Sequence, residues 1–168
     1  MASSNPHYER AQQNVERKMA QDGKEVITVK PRNLNIVWGN DDRYWNIPKN
    51  GDDKPAELLQ VCWLEVTGSV DIDSQKTYEV SFRLSLTPDA FGWGSSLLYI
   101  MVKRGNSGKF AWKKVSLANK GTEVFHIKGE LAQDDISRDK KLYFGLYEVW
   151  SGKWKGGLKI HDVTVKEI

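Results

Sequence analysis

The sequence is poor in the residues that build covalent staples, metal sites and catalytic dyads. It has one cysteine, three histidines and five prolines in 168 residues. A lone Cys62 cannot form an internal disulfide, so the fold must rest on its core, with an intermolecular bridge as the remaining use of the thiol. Cys62 lies within Val61-Cys62-Trp63-Leu64, the setting of a small core residue. Among His7, His126 and His161, none stands beside a Ser or Cys elbow, and no two have the spacing of metal ligands. Phosphate-loop and dinucleotide fingerprints are absent, and Gly92-Trp93-Gly94 and Gly105-Asn106-Ser107-Gly108 read as loop glycines. No apolar run approaches the roughly 20 residues that span a bilayer. Met1 to His7 lacks a charged-then-apolar leader pattern, so cytoplasmic synthesis is expected. These absences point away from cofactor, metal and nucleophile chemistry.

What is present is alternation. Tyr78, Val80, Phe82, Leu84 and Leu86 interleave with Thr77, Glu79, Ser81, Arg83 and Ser85, the period of a half-buried strand. Shorter strands are expected over 25–30, 33–38, 59–67, 97–104, 111–117, 122–128, 142–150 and 157–166. In the last of these, Leu158 and Ile160 share one parity and Val163 and Val165 the other, so a β-bulge near His161-Asp162 is expected. Asn5 and Pro6 suit a helix start, and Tyr8, Ala11, Val15 and Met19 make a thin stripe, which predicts a helix over 5–22 ending at Gly23. Short helical turns are expected at Pro55–Leu58 and Ala132–Ile136. With no βαβ alternation, the pattern predicts an all-β, antiparallel two-sheet sandwich, jelly-roll-like, with a closed barrel as the alternative. The organisation expected is an N-terminal helical extension over 1–24 and one domain over 25–168.

The sequence spends heavily on aromatic surface, with seven Trp, six Tyr and five Phe. Strands hold Trp63 and Trp112, where core packing is the ordinary use. Three other groups sit at turns: Trp38 to Trp45 around Gly39-Asn40-Asp41-Asp42, Phe91 to Trp93, and Trp150 to Trp154 around Ser151-Gly152, the last read as a hairpin. Indoles beside polar turns suit a sugar, whose apolar C–H face stacks on a ring while its hydroxyl rim meets charged and amide groups. Single-stranded nucleic acid also stacks but adds a basic groove. Residues 1–100 carry 11 Lys and Arg against 14 Asp and Glu, and residues 101–168 carry 14 against 8. The basic half keeps an RNA- or protein-binding carrier as the alternative. A third reading, a glycosidase, needs two facing carboxylates, for which Glu65 and Glu148 within apolar strands are the candidates.

The blocks Leu34-Asn35-Ile36-Val37-Trp38-Gly39, Tyr44-Trp45, Ala56-Glu57-Leu58 and Val61-Cys62-Trp63-Leu64-Glu65-Val66-Thr67-Gly68 resemble the phloem protein 2 lectins, the Nictaba-related plant lectins. Leu146-Tyr147-Glu148-Val149, Trp154-Lys155-Gly156-Gly157 and the strand with Val163 and Val165 continue the resemblance, which covers about residues 25–168. It implies a non-enzymatic lectin, without cofactor or metal, that binds N-acetylglucosamine oligomers such as chitin fragments and the N-glycan core. It also implies glycoprotein partners, dimerisation in some members, a role in plant defence and a place in phloem sap. The two site tryptophans of the tobacco member match Trp38 and Trp45, and its functional glutamate matches Glu148. Residues 88–120 fit the family poorly, so Trp93 rests on its own surroundings. The expected site is Trp38, Tyr44, Trp45, Trp93, Trp150 and Trp154 as stacking faces, with Arg43, Glu148 and Lys155 as hydrogen-bonding groups. Trp45, beyond the turn, is expected to touch sugar more surely than Trp38, which shares parity with the inward Leu34 and Ile36.

Overall fold

The computed structural model of the chain describes residues 8–9, 15–48, 54–73, 75–105, 110–129 and 140–168. Strands form where the period-2 pattern is clean. In chain order they are β1 (Tyr8–Glu9), β2 (Glu16–Met19), β3 (Glu25–Val29), β4 (Asn35–Val37), β5 (Trp45–Asn46), β6 (Ala56–Leu58) and β7 (Leu64–Asp71). They continue as β8 (Tyr78–Phe91), β9 (Leu97–Arg104), β10 (Ala111–Ser116), β11 (Phe125–Lys128), β12 (Lys141–Glu148) and β13 (Gly156–Glu167). One short 3-10 turn, Pro31–Asn33, precedes β4.

Two antiparallel sheets result. A six-stranded sheet has the order β1-β4-β7-β12-β9-β10, and a seven-stranded sheet has the path β11-β8-β13-β3-β2 with β6 paired to β13 and β5 to β6. Their inner faces share one apolar core. Val80, Phe82 and Leu84 of β8 meet Leu142, Phe144 and Leu146 of β12 in it, with Phe82 edge-on to Phe144 at 5.9 Å. Burying each such side chain contributes about 1.5–3 kcal/mol, and the sandwich exists because neither sheet can cover its apolar face alone.

The predicted bulge is present. The register of β13 against β8 slips between Ile160 and Asp162, so His161 is the extra residue. Leu158, Ile160, Val163 and Val165 are thereby all buried. The bulged His161 accepts or donates a 2.7 Å hydrogen bond with Ser85 Oγ, and Arg83 grips Asp162 with two hydrogen bonds of 3.1 and 2.7 Å.

Three expectations need correction. Tyr8–Glu9 and Glu16–Met19 are strand where a helix was expected, and the rest of residues 1–14 lies outside the described residues. Glu16–Met19 extends the sheet edge beside β3, and edge pairing outweighs the weak helical preference of an exposed polar segment. Ala56–Leu58 is strand β6, stitched between β13 and β5 rather than a helical turn. Residues 149–155 are no hairpin, because β12 and β13 belong to different sheets and the segment crosses between them. The expected turn at Ala132–Ile136 lies outside the described residues. Among the described residues no helix is long and apolar enough to cross a membrane.

Candidate functional site

The chain leaves β4 through an unusual turn. Gly39 N–H bonds the Ile36 carbonyl at 3.0 Å, which places Trp38 at the third position of a four-residue turn with φ of +67°. That position ordinarily takes Gly or Asn, because a Cβ there collides with backbone. Trp38 is the one residue other than glycine with positive φ among the described residues. The Trp38 indole lies half-buried and packs against the core that Leu34 and Ile36 help form. Backbone strain of this kind costs about 1–3 kcal/mol and clusters at functional sites.

The following turn is held by Asp41. Its carboxylate accepts the Arg43 backbone N–H at 3.0 Å and takes the Arg43 guanidinium through Nε at 3.0 Å and a terminal nitrogen at 2.7 Å. Arg43 therefore stands fixed over Tyr44, its Cζ 5.2 Å from the ring centre. Tyr44 is edge-on to Trp38 at 5.3 Å and stacked with Trp154 at 6.5 Å and 26°. Three rings from two distant parts of the chain thus form one row, and Trp154 is 52% exposed.

Trp154 owes its position to a buried ion pair beneath it. Lys155 is fully buried, and its Nζ donates to Glu148 Oε1 at 2.8 Å, the Cys62 carbonyl at 2.9 Å and the Lys153 carbonyl at 2.9 Å. Those three bonds use all three ammonium protons. Ser151 Oγ donates to Glu148 Oε1 at 2.5 Å and accepts the Lys153 N–H at 3.1 Å. Burial pushes the Glu148 carboxyl up, but the bonds from Lys155 and Ser151 and the Lys155 charge outweigh it and hold it below the usual glutamate value. The backbone of Lys155 also exchanges two 2.9 Å bonds with Val61. Gly92, at φ +89°, lets its loop lie against this segment, since a Cβ there would stand 2.5 Å from the Trp154 carbonyl.

The expected site residues therefore separate. Trp38, Arg43, Tyr44 and Trp154 come together at one end of the sandwich. Trp45 pairs with Leu58 and is 1% exposed, so it is a core residue, and its buried indole N–H has no partner among the described residues. Trp93 is also buried and donates Nε1 to the Gly156 carbonyl at 3.0 Å, pinning the start of β13. Glu148 and Lys155 are consumed by each other and act as the foundation of the loop. Trp150, 59% exposed, turns to a different cluster: it is edge-on to Tyr99 at 4.6 Å and to Trp112 at 6.1 Å. That cluster was missed because strand tryptophans read as core, whereas Trp112 is exposed.

The rival chemistries find less here. Glu65 lies opposite Tyr147 and Glu148 opposite Leu64, so the two carboxylates project from opposite faces of the sheet and cannot flank one glycosidic bond. Ser85 and His161 touch, but Ser85 is buried and the neighbouring Asp162 is held by Arg83. The basic doublets also divide. Lys113 and Lys114 are consecutive in β10 and face opposite ways. Arg104 donates to the Asp73 carbonyl, and Lys103 sits over the Phe110 and Tyr143 rings. Cys62 is a half-buried free thiol.

Residues 24–167 match the sequence profile of the family described as phloem protein 2. The chain is 42% identical over 168 residues to the Arabidopsis thaliana protein PHLOEM PROTEIN 2-LIKE A9, covering 90% of this chain and 93% of that one. It is 36% identical over 69 residues to a lectin of Luffa acutangula, covering 37% of this chain and 33% of the other. In structure it is similar to part of a Podospora anserina GH26-CBM35 β-(1,4)-mannanase, at TM-score 0.52 and 9% identity, over 85% of this chain and 28% of that one. That likeness concerns the β-sandwich alone. With the sequence profile spanning nearly the whole chain, the protein belongs to the phloem protein 2 family.

Proposed function

We propose that the protein is a non-enzymatic lectin that binds N-acetylglucosamine oligomers, such as chitin fragments and the core of N-glycans, at the row Trp38–Tyr44–Trp154. The observation that carries this reading is Trp38, an indole held in a strained left-handed conformation beside Tyr44 and Trp154. Sugar C–H faces stack on the rings, and the acetamido and hydroxyl groups meet Arg43 and the turn backbone. A family relative named as a lectin supports the class. Each ring that covers about 100 Å² of apolar surface contributes about 2–3 kcal/mol. One ring falls short of the −4.1 kcal/mol of millimolar binding, while two or three in a row exceed it, which favours oligomers over single sugars. The family's name and the resemblance support a role in phloem, on glycoproteins or chitin fragments met during defence.

Isothermal titration with chitotriose, read together with tryptophan fluorescence, tests the class. Micromolar to millimolar binding that changes little between low and high salt is expected. Binding of RNA that falls steeply with salt, with no response to chitotriose, would favour the carrier reading instead.

A further inference from the structure

The solvent face of the six-stranded sheet carries a second aromatic assembly. Register places Tyr147 beside Tyr99 and Glu65, Gly145 beside Met101 and Thr67, and Tyr143 beside Lys103 and Ser69. Trp112 lies opposite Met101 on the next strand. All of these share one parity and turn away from Leu142, Phe144 and Leu146, which fill the core. The face is not flat. A groove of about 310 Å³ crosses it, lined from Asn35 of β4 to Phe110 at the start of β10. That path covers five neighbouring strands, or about 19 Å at about 4.8 Å per strand.

The groove has a polar side and an aromatic side. Thr67, Ser69 and Asn35 line it on β7 and β4. Toward β10, Trp112 is edge-on to Tyr147 at 5.4 Å and stacked with Phe110 at 6.1 Å. Lys103 reaches over Phe110 at 4.5 Å and Tyr143 at 5.6 Å. The floor depends on Gly145: a Cβ there would stand 2.7 Å from the Tyr147 ring and 3.2 Å from the Thr67 methyl. Glycine thus lets the Tyr147 ring lie over the strand and keeps the trough open.

We infer that this trough is a second carbohydrate-binding site, distinct from the loop row, which takes an extended neutral oligosaccharide across the strands. The inference rests on the lectin reading above. An extended sugar chain presents C–H faces to Tyr147, Tyr143 and Phe110, with Trp112 beside them, and hydroxyls to Thr67, Ser69 and the Lys103 ammonium. The length of the trough exceeds one sugar ring several-fold, so it selects chains over monosaccharides. A second copy of this chain is the poorer occupant. An isologous contact through this face would bring the Lys103 and Lys114 ammonium groups of both copies, which share it, into one interface. Trp150 links the two regions, since it joins the face cluster through Tyr99 and Trp112 while its neighbour Ser151 bonds the Glu148 carboxylate under the loop row.

The test uses the full chain with chitohexaose, cellohexaose and mannohexaose in isothermal titration, and four variants: Trp154→Ala for the loop row, and Tyr143→Ala, Trp112→Ala and Ser69→Arg for the face. Ser69→Arg obstructs the trough from a half-buried position without removing a ring, and circular dichroism verifies that each variant folds. At least one hexaose should bind Trp154→Ala within threefold of the parent affinity and lose tenfold or more with Tyr143→Ala and Ser69→Arg. If Trp154→Ala alone abolishes binding of every hexaose while the face variants bind like the parent, the face is not a site and the lectin reading stands. Should neither chitotriose nor any hexaose bind the parent, the lectin reading fails and takes this one with it. Concentration-dependent dimerisation in sedimentation, removed by Trp112→Ala with sugar binding unchanged, would assign the face to self-association and overturn the inference.

Discussion

Lys155 Nζ lies 2.8 Å from Glu148 Oε1, and neither side chain reaches water. Two residues expected to meet sugar are thus the internal brace of the loop that presents Trp154. Removing one partner strands the other charge in the core. Glu148→Gln and Lys155→Met should each destabilise the protein by about 3–5 kcal/mol in urea unfolding, and the double variant should recover part of that loss. Single-variant losses below about 1 kcal/mol would show that the pair does not brace the fold.

The same pair makes stability depend on acid. Burial raises the Glu148 carboxyl, but its bonds to Lys155 and Ser151 and the Lys155 charge lower it further, so the folded value lies below the unfolded one. The stabilisation is therefore complete above the unfolded value of about 4.3 and is lost as pH falls through the folded value. Urea midpoints measured from pH 6 down to 3 should drop in the parent, and the drop should be shallower in Glu148→Gln.

His161 adds a second, milder dependence. Burial, and then the Arg83 charge, lower its folded value below the ordinary one, against a smaller upward pull from Asp162. The unfolded chain takes up its proton first, so stability should fall as pH drops below about 6.5. His161→Gln keeps a hydrogen-bonding side chain opposite Ser85 and should flatten the urea midpoint between pH 6.5 and 5.

Trp38 and Trp45 should behave as opposites. Trp45→Ala opens the core and should cost about 3–5 kcal/mol. At Trp38 the backbone lies at φ +67°, so Trp38→Gly should be more stable than Trp38→Ala by about 1 kcal/mol, the reverse of the usual order. Both Trp38 variants should lose chitotriose. Equal stability of the Gly and Ala variants would remove the strain argument.

Trp154→Ala removes an exposed ring and should change stability by less than about 0.5 kcal/mol while weakening chitotriose at least tenfold. Thermal melting and titration on one preparation separate the two effects. Unchanged affinity would take Trp154 out of the site.

Much of this molecule was legible from residue order alone. Alternation in 76–86 marked the inward face of β8, because the period of a strand is two whatever surrounds it. The parity break between Ile160 and Val163 located the bulge for the same reason. Seven tryptophans, several of them at turns, pointed to aromatic stacking as the proposed chemistry, and the order of blocks such as Leu34–Gly39 and Val61–Gly68 identified the family. Tertiary structure decided which rings face outward. A turn with positive φ left Trp38 half-buried at the margin of the core, and pairing with Leu58 drew Trp45 inside it, and neither follows from period or propensity. The Glu148–Lys155 brace depends on a crossing between sheets, and the groove on the six-stranded sheet depends on the register of strands far apart in sequence. Long-range pairing sets both, and a linear pattern carries no record of which strand lies beside which.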